Sequence, residues 1–100
     1  MLVITSVKED LQEVTDIFEK AGIPVFSVSN TIGHKAAHHD YLLTNWFGRD
    51  NDQTDALFFF SFTDDEKAYK TLELIKIHNE LEESLFPVRG FILPVESSGF

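Results

Sequence analysis

Two helix-start signatures, Ser6-x-x-Glu9 and Thr63-x-x-Glu66, constrain the fold more than any other feature of the chain. Each follows an apolar, β-rich run and opens a stretch of helical periodicity. Leu2 to Val7 reads as a strand. From near Lys8 the apolar positions Leu11, Val14, Ile17, Phe18 and Ala21 recur at helical spacing until Gly22 supplies a left-handed stop. After Pro24, Phe26 and Val28 alternate with Ser27 and Ser29, the period of a second strand with one packed and one wet face.

The second half repeats the order. Residues 56 to 62, ALFFFSF, are too short for a helix and rich in aromatics, which predicts a third strand starting near Asp55. It is apolar on both faces: Phe58, Phe60 and Phe62 point one way, Leu57 and Phe59 the other. Helices in a two-layer fold cover only one of these faces, so the other calls for a partner. Ala68, Leu72, Ile75, Leu81 and Leu85, with Leu74 and Ile77 alongside, then form the apolar face of a long helix ended by Pro87. Residues 90 to 95 read as a short last strand, with Pro94 placing its end near a sheet edge. Strand, helix, strand, strand, helix, strand predicts an α+β, ferredoxin-like βαββαβ fold: one antiparallel sheet with both helices on one face. One hundred residues are enough for one core, so residues 1–100 are expected to form a single domain.

Between the second and third strands lies a loop of about residues 32 to 54, where a hairpin needs two to five. It reads IGHKAAHHDYLLTNWFGRDNDQT and holds three of the four histidines, the only tryptophan and Tyr41. Disordered linkers are poor in aromatics, so Tyr41, Leu42, Leu43, Trp46 and Phe47 suggest packing on a partner or a neighbouring subunit. His34, His38, His39 and Asp40 offer imidazole and carboxylate ligands suited to zinc, copper or nickel. The same histidines equally suit a polar loop in which they titrate in water or hydrogen-bond locally. His78, in the second helix, reads as a surface or packing residue. Arg89, just before the last strand, either holds an anionic ligand or forms a surface ion pair.

Composition narrows the classes. A formal charge of −9 repels phosphate backbones and anionic lipid, which argues against nucleic acid and membrane as partners. No apolar run approaches the roughly 20 residues of a membrane span, and the start MLVITSV lacks the pattern of an export signal. With no cysteine present, the expectation is a cytoplasmic protein without disulfides. No Gly-rich phosphate loop, nucleophile elbow or HExxH motif occurs. The turn after the first strand, Ser6 to Asp10, carries acids where the ferredoxin-like acylphosphatases need an arginine cradle, so a non-enzyme is expected.

The last segment, Arg89 to Glu96, resembles the closing strand of PII signalling proteins, in which a basic residue precedes a strand much like IFVLPVE. The element order, the stop at Gly22, the second-strand end near Gly33 and the long loop at the position of that family's T-loop extend the resemblance over nearly the whole chain. It implies a homotrimer whose sheets face a central axis, with a small ligand in the cleft between subunits. By position Gly33 and Lys35 match the base of the loop, and Arg89 matches the basic residue. Two departures stand out: Leu85 to Val88 replaces the family's glycine-rich basic turn, and ESSGF lacks its paired arginines. They rank an adenine nucleotide below a divalent transition metal as the ligand. The histidine-bearing loop is similar to that of divergent PII-like proteins associated with heavy-metal efflux, which implies a sensor that signals through the loop to a membrane transporter or regulatory protein. The more distantly similar CutA family supplies the alternative, a metal-binding or metal-tolerance trimer without a signalling partner.

Overall fold

The structure is a computed structural model and describes residues 1–34, 53–82, 86–97 and 99. Strand β1 (Leu2–Val7) leads through a 3-10 turn (Lys8–Asp10) into helix α1 (Leu11–Ala21). Strands β2 (Ser27–His34) and β3 (Gln53–Ser61), helix α2 (Asp65–Glu82) and strand β4 (Arg89–Ile92) follow. The sheet order is β2-β3-β1-β4 and every neighbouring pair is antiparallel, which is the ferredoxin-like α+β fold expected.

The core lies between the helices and one face of the sheet. Leu2 and Ile4 of β1 and Leu57 and Phe59 of β3 pack with Val14, Ile17, Phe18 and Ala21 of α1 and Ala68 and Ile75 of α2. At its centre, Phe18 and Phe26 stack with ring centroids 4.3 Å apart, and Phe59 lies 6.0 and 6.2 Å from them. Offset and tilted ring pairs of this kind add to the gain from area burial alone. Gly90 faces α2, and a Cβ there would fall 2.6 Å from Leu72 Cδ2 and 2.9 Å from Ile75 Cδ1. Its missing side chain is what lets α2 settle on β4.

Both capping boxes are corrected. Ser6 stays in the sheet opposite Leu57, buried, its hydroxyl donating to the Val7 carbonyl at 3.0 Å. It therefore caps nothing: the 3-10 turn starts after Val7, and α1 only at Leu11. At α2 the cap is Asp64 rather than Thr63, its Oδ1 accepting from the Lys67 amide at 2.8 Å. Gly22 does stop α1, at φ 79°, with the Gly22 amide donating to Glu19 at 3.1 Å and the Ile23 amide to Phe18 at 2.9 Å.

The buried stripe of α2 also differs from the apolar pattern. Ala68, Thr71 and Ile75 are buried, whereas Ile77 is 47% and Leu81 78% exposed. Leu85 lies outside the described residues. Thr71 takes a core position because its hydroxyl donates to the Lys67 carbonyl at 2.8 Å, which satisfies its polar atom within the helix. Strand β4 begins at Arg89 rather than Gly90 and ends at Ile92. Beyond it, Leu93 remains tied to Met1 by two backbone hydrogen bonds, of 2.6 and 2.7 Å.

Asp10 precedes α1 without a side-chain cap bond. Burial raises its carboxyl above the usual aspartate range, Glu13, Glu9 and Glu82 add to the rise, and His78 partly offsets it. A carboxyl with a raised folded-state pKa contributes stability that is full below its unfolded pKa and is lost as pH rises through the folded value. Asp10→Asn, which removes the charge and keeps a good cap residue, is therefore expected to stabilise the protein at pH 7. The gain should be at most about 1 kcal/mol for a partly buried group and should vanish near pH 4. Urea titrations at the two pH values check this, and an equal shift at both would refute the assignment.

Candidate functional site

Antiparallel pairing places the start of β4, the end of β1 and the outer ends of β2 and β3 at one end of the sheet. β1 pairs with β3 as far as Val7 and Ala56, and Ala56 pairs with Thr31. Beyond that row only β2 and β3 continue, through Ile32 with Asp55, Gly33 with Thr54 and His34 with Gln53. Residues 32–34 and 53–54 of the expected loop are thus strand, in a two-stranded ribbon that projects about 10 Å past the sheet, and the rest of it, 35–52, lies outside the described residues. Thr31 pins the base of the ribbon, its hydroxyl donating to the Ala56 carbonyl at 3.3 Å.

Arg89 opens β4 opposite Thr5. Its position is fixed from α2, where the Asn79 side chain grips the backbone of Val88 twice. The Val88 amide donates to Asn79 Oδ1 at 3.0 Å, and Asn79 Nδ2 donates to the Val88 carbonyl at 2.7 Å. An asparagine in a helix interior is costly unless its amide finds partners, and here it finds both on the residue before Arg89. The sequence reading missed Asn79, whose only signal is its place four residues after Ile75 on the buried stripe. The Arg89 Nε is itself buried and has no hydrogen-bond partner among the described residues. A groove of about 490 Å³ runs along the β4 edge, with Leu72, Ile75 and Gly90 among its lining and Lys76, Glu80 and Arg89 supplying charge.

On the face turned away from the helices, Val3 lies between Phe60 and Phe91, and Thr5 between Phe58 and Arg89. Val3 and Thr5 are buried, Phe58, Phe60 and Phe91 are half-buried, and the Phe58 and Phe60 rings are 6.3 Å apart. The second apolar face of β3 is therefore real at Phe58 and Phe60. Phe62 falls beyond the strand and is 71% exposed.

Among the residues expected to bind a ligand, Arg89 and Gly33 sit at the same end of the sheet but on opposite sides of it. Arg89 shares a row with Ser29, so Gly33 lies three strands across and four residues further along, roughly 20 Å away. One copy of the chain does not bring the two together. His34 closes β2, while Lys35, His38, His39 and Asp40, together with Tyr41, Trp46 and Phe47, lie outside the described residues. Among the described residues, no three His, Asp or Glu side chains gather into a group able to hold a metal ion, and no helix is long and apolar enough to cross a membrane.

This chain has the fold of the nitrogen regulatory PII-like proteins. It is similar to CPII, a nitrogen regulatory PII-like protein from Thiomonas intermedia K12, in a structure bound to ADP, AMP and bicarbonate. There the TM-score is 0.60 at 15% identity, over 90% of this chain and 81% of that one. A second CPII structure, bound to ADP, AMP and acetate, gives a TM-score of 0.62 at 16% identity over 90% and 78%. No protein-family model matches the sequence, and no curated protein does.

Proposed function

We propose that this chain is a PII-like regulatory protein. In this reading residues 1–100 form one domain that works as a homotrimer, binds a small ligand between subunits and signals through segment 35–52 to a protein partner. It acts by binding rather than by turnover.

The observation that carries the proposal is the placement of the ribbon and Arg89 at one end of the sheet but on opposite sides of it. Two halves of a site roughly 20 Å apart in one copy become neighbours when copies are arranged around an axis, each ribbon beside the β4 edge of the next. The half-buried face of Phe58, Phe60 and Phe91 supports such an assembly, since apolar sheet faces of this kind pack against another layer.

The ADP and AMP bound by CPII favour an adenine nucleotide as the ligand here, reversing the order in which the sequence ranked nucleotide and metal. On a chain with a charge of −9 an anionic ligand needs local cations, and the candidates are Arg89 on one copy and, on the next, Lys35, two residues after Gly33 in sequence. Ligand contacts at the ribbon base would bias the ribbon toward one arrangement, and the partner reads that bias at 35–52.

Native mass spectrometry of the full chain, alone and with ADP, AMP, zinc, copper or nickel, tests the reading. A trimer that takes up nucleotide is the expected result. A monomer indifferent to every addition would end the proposal, and a trimer that takes up only metal, lost with His38→Ala and His39→Ala, would replace it with the CutA-like alternative.

A further inference from the structure

We propose that the seam between α1 and α2, on the outer surface of the helix layer, is a docking groove for a basic amphipathic helix of a partner protein. The inference is separate from the ligand site, which lies at the sheet end and the β4 edge.

The two helices present matching stripes to the seam. Glu13, Asp16, Ile17 and Lys20 of α1, and Leu74, Ile77, His78 and Leu81 of α2, are each spaced i, i+3, i+4, i+7 and line a recess of about 200 Å³. The core does not need all of this apolar surface: Ile77 and Leu81 stay 47% and 78% exposed, at positions where an exposed α2 face would ordinarily carry charge. Two helical ridges with a furrow between them fit a third helix, whose apolar side chains recur at the same spacing.

Charge selects the partner. The seam continues into a second recess of about 320 Å³, which shares Glu13 and His78 and adds Asp10 and Glu82. Among the described residues that line the two recesses, the carboxylates of Asp10, Glu13, Asp16 and Glu82 are accompanied by Lys20 and His78 alone as basic groups. Burial raises the Asp10 carboxyl first, and Glu13, Glu9 and Glu82 add to the rise; lysine or arginine side chains of an incoming helix would offset this carboxylate share. A second copy docking through this same acidic surface and an anionic bilayer would both add negative charge here, so neither fits.

The test is an NMR titration of the isotope-labelled full chain with a synthetic helical peptide that has leucines at i, i+3, i+4 and i+7 flanked by lysines, beside the same peptide with glutamates for the lysines. Shift changes confined to the facing stripes of α1 and α2, for the lysine peptide only, are expected. Ile77→Glu with Leu81→Glu, at exposed positions and checked by circular dichroism, should weaken binding roughly tenfold or more. Raising salt from about 50 to about 500 mM should weaken it several-fold. Shifts that map elsewhere, equal binding of the glutamate peptide, or no shifts at millimolar peptide would overturn the proposal. A change in the sedimentation mass of the free protein on Leu81→Glu would overturn it too, by assigning the groove to a contact between copies.

Discussion

Phe59→Ala is expected to cost about 3–5 kcal/mol of folding stability, enough to leave much of the protein unfolded at ambient temperature if its total lies near the low end of the usual ~5–15 kcal/mol. The residue is fully buried at the middle of β3, on the face covered by the helices, and its ring lies against both Phe18 and Phe26. Truncation removes the burial of an aromatic side chain and leaves a void under the stacked Phe18–Phe26 pair, which cannot collapse into it without pulling α1 off the sheet. Phe62→Ala is the control, because that ring is 71% exposed and should cost no more than about 0.5 kcal/mol. Urea denaturation followed by circular dichroism measures both. A shift below about 1 kcal/mol at Phe59 would mean that the aromatic cluster does not anchor the core.

Arg89→Met separates function from stability. On the proposed reading, losing the guanidinium should weaken ADP binding by about 10- to 100-fold, the worth of a charge-assisted contact to phosphate. Folding stability should hold or rise slightly, because the change also removes a buried Nε that has no hydrogen-bond partner among the described residues. Isothermal titration with ADP and urea denaturation of the same variant give the two numbers. Unchanged affinity would remove Arg89 from the ligand site, and a stability loss above about 2 kcal/mol would make it a structural residue instead.

The order of elements was legible because each rests on a local period: the apolar run of β1, the i, i+3, i+4 stripe of α1 and the glycine stop at Gly22, whose positive φ confirms it. What the sequence hid depends on satisfaction of polar groups by distant or non-apolar partners. Thr71 and Asn79 interrupt the apolar pattern of α2, yet both sit on its inward stripe because their polar atoms are bonded to nearby backbone. Counting hydrophobic residues therefore turned Leu81 inward when it faces solvent. Asp64 and Thr63 are both good cap residues, and only the geometry at Lys67 chooses between them. The extension of β2 and β3 involves Gly33, His34, Gln53 and Thr54, which have no alternation of polar and apolar side chains to betray a strand. Of the candidate ligand set, Arg89 is the residue that the sequence singles out beside the last strand, which it in fact opens. That it stands apart from Gly33 follows from strand order and register, which no short motif encodes.

The pinned row at Thr31 and Ala56 divides the sheet mechanically. On the core side, each backbone rung is shared among three or four strands and braced by the helices; on the outer side the rungs from Ile32 to His34 join two strands only. A two-stranded ladder standing alone is marginal in water, so these outer rungs form a low-stiffness arm on a stiff mount, with its pivot at the Thr31 hydroxyl. Swinging or re-pairing that arm breaks none of the contacts around Phe18, Phe26 and Phe59. A binding event worth a few kcal/mol can then redirect the arm while the body of the protein stays folded and unchanged in shape.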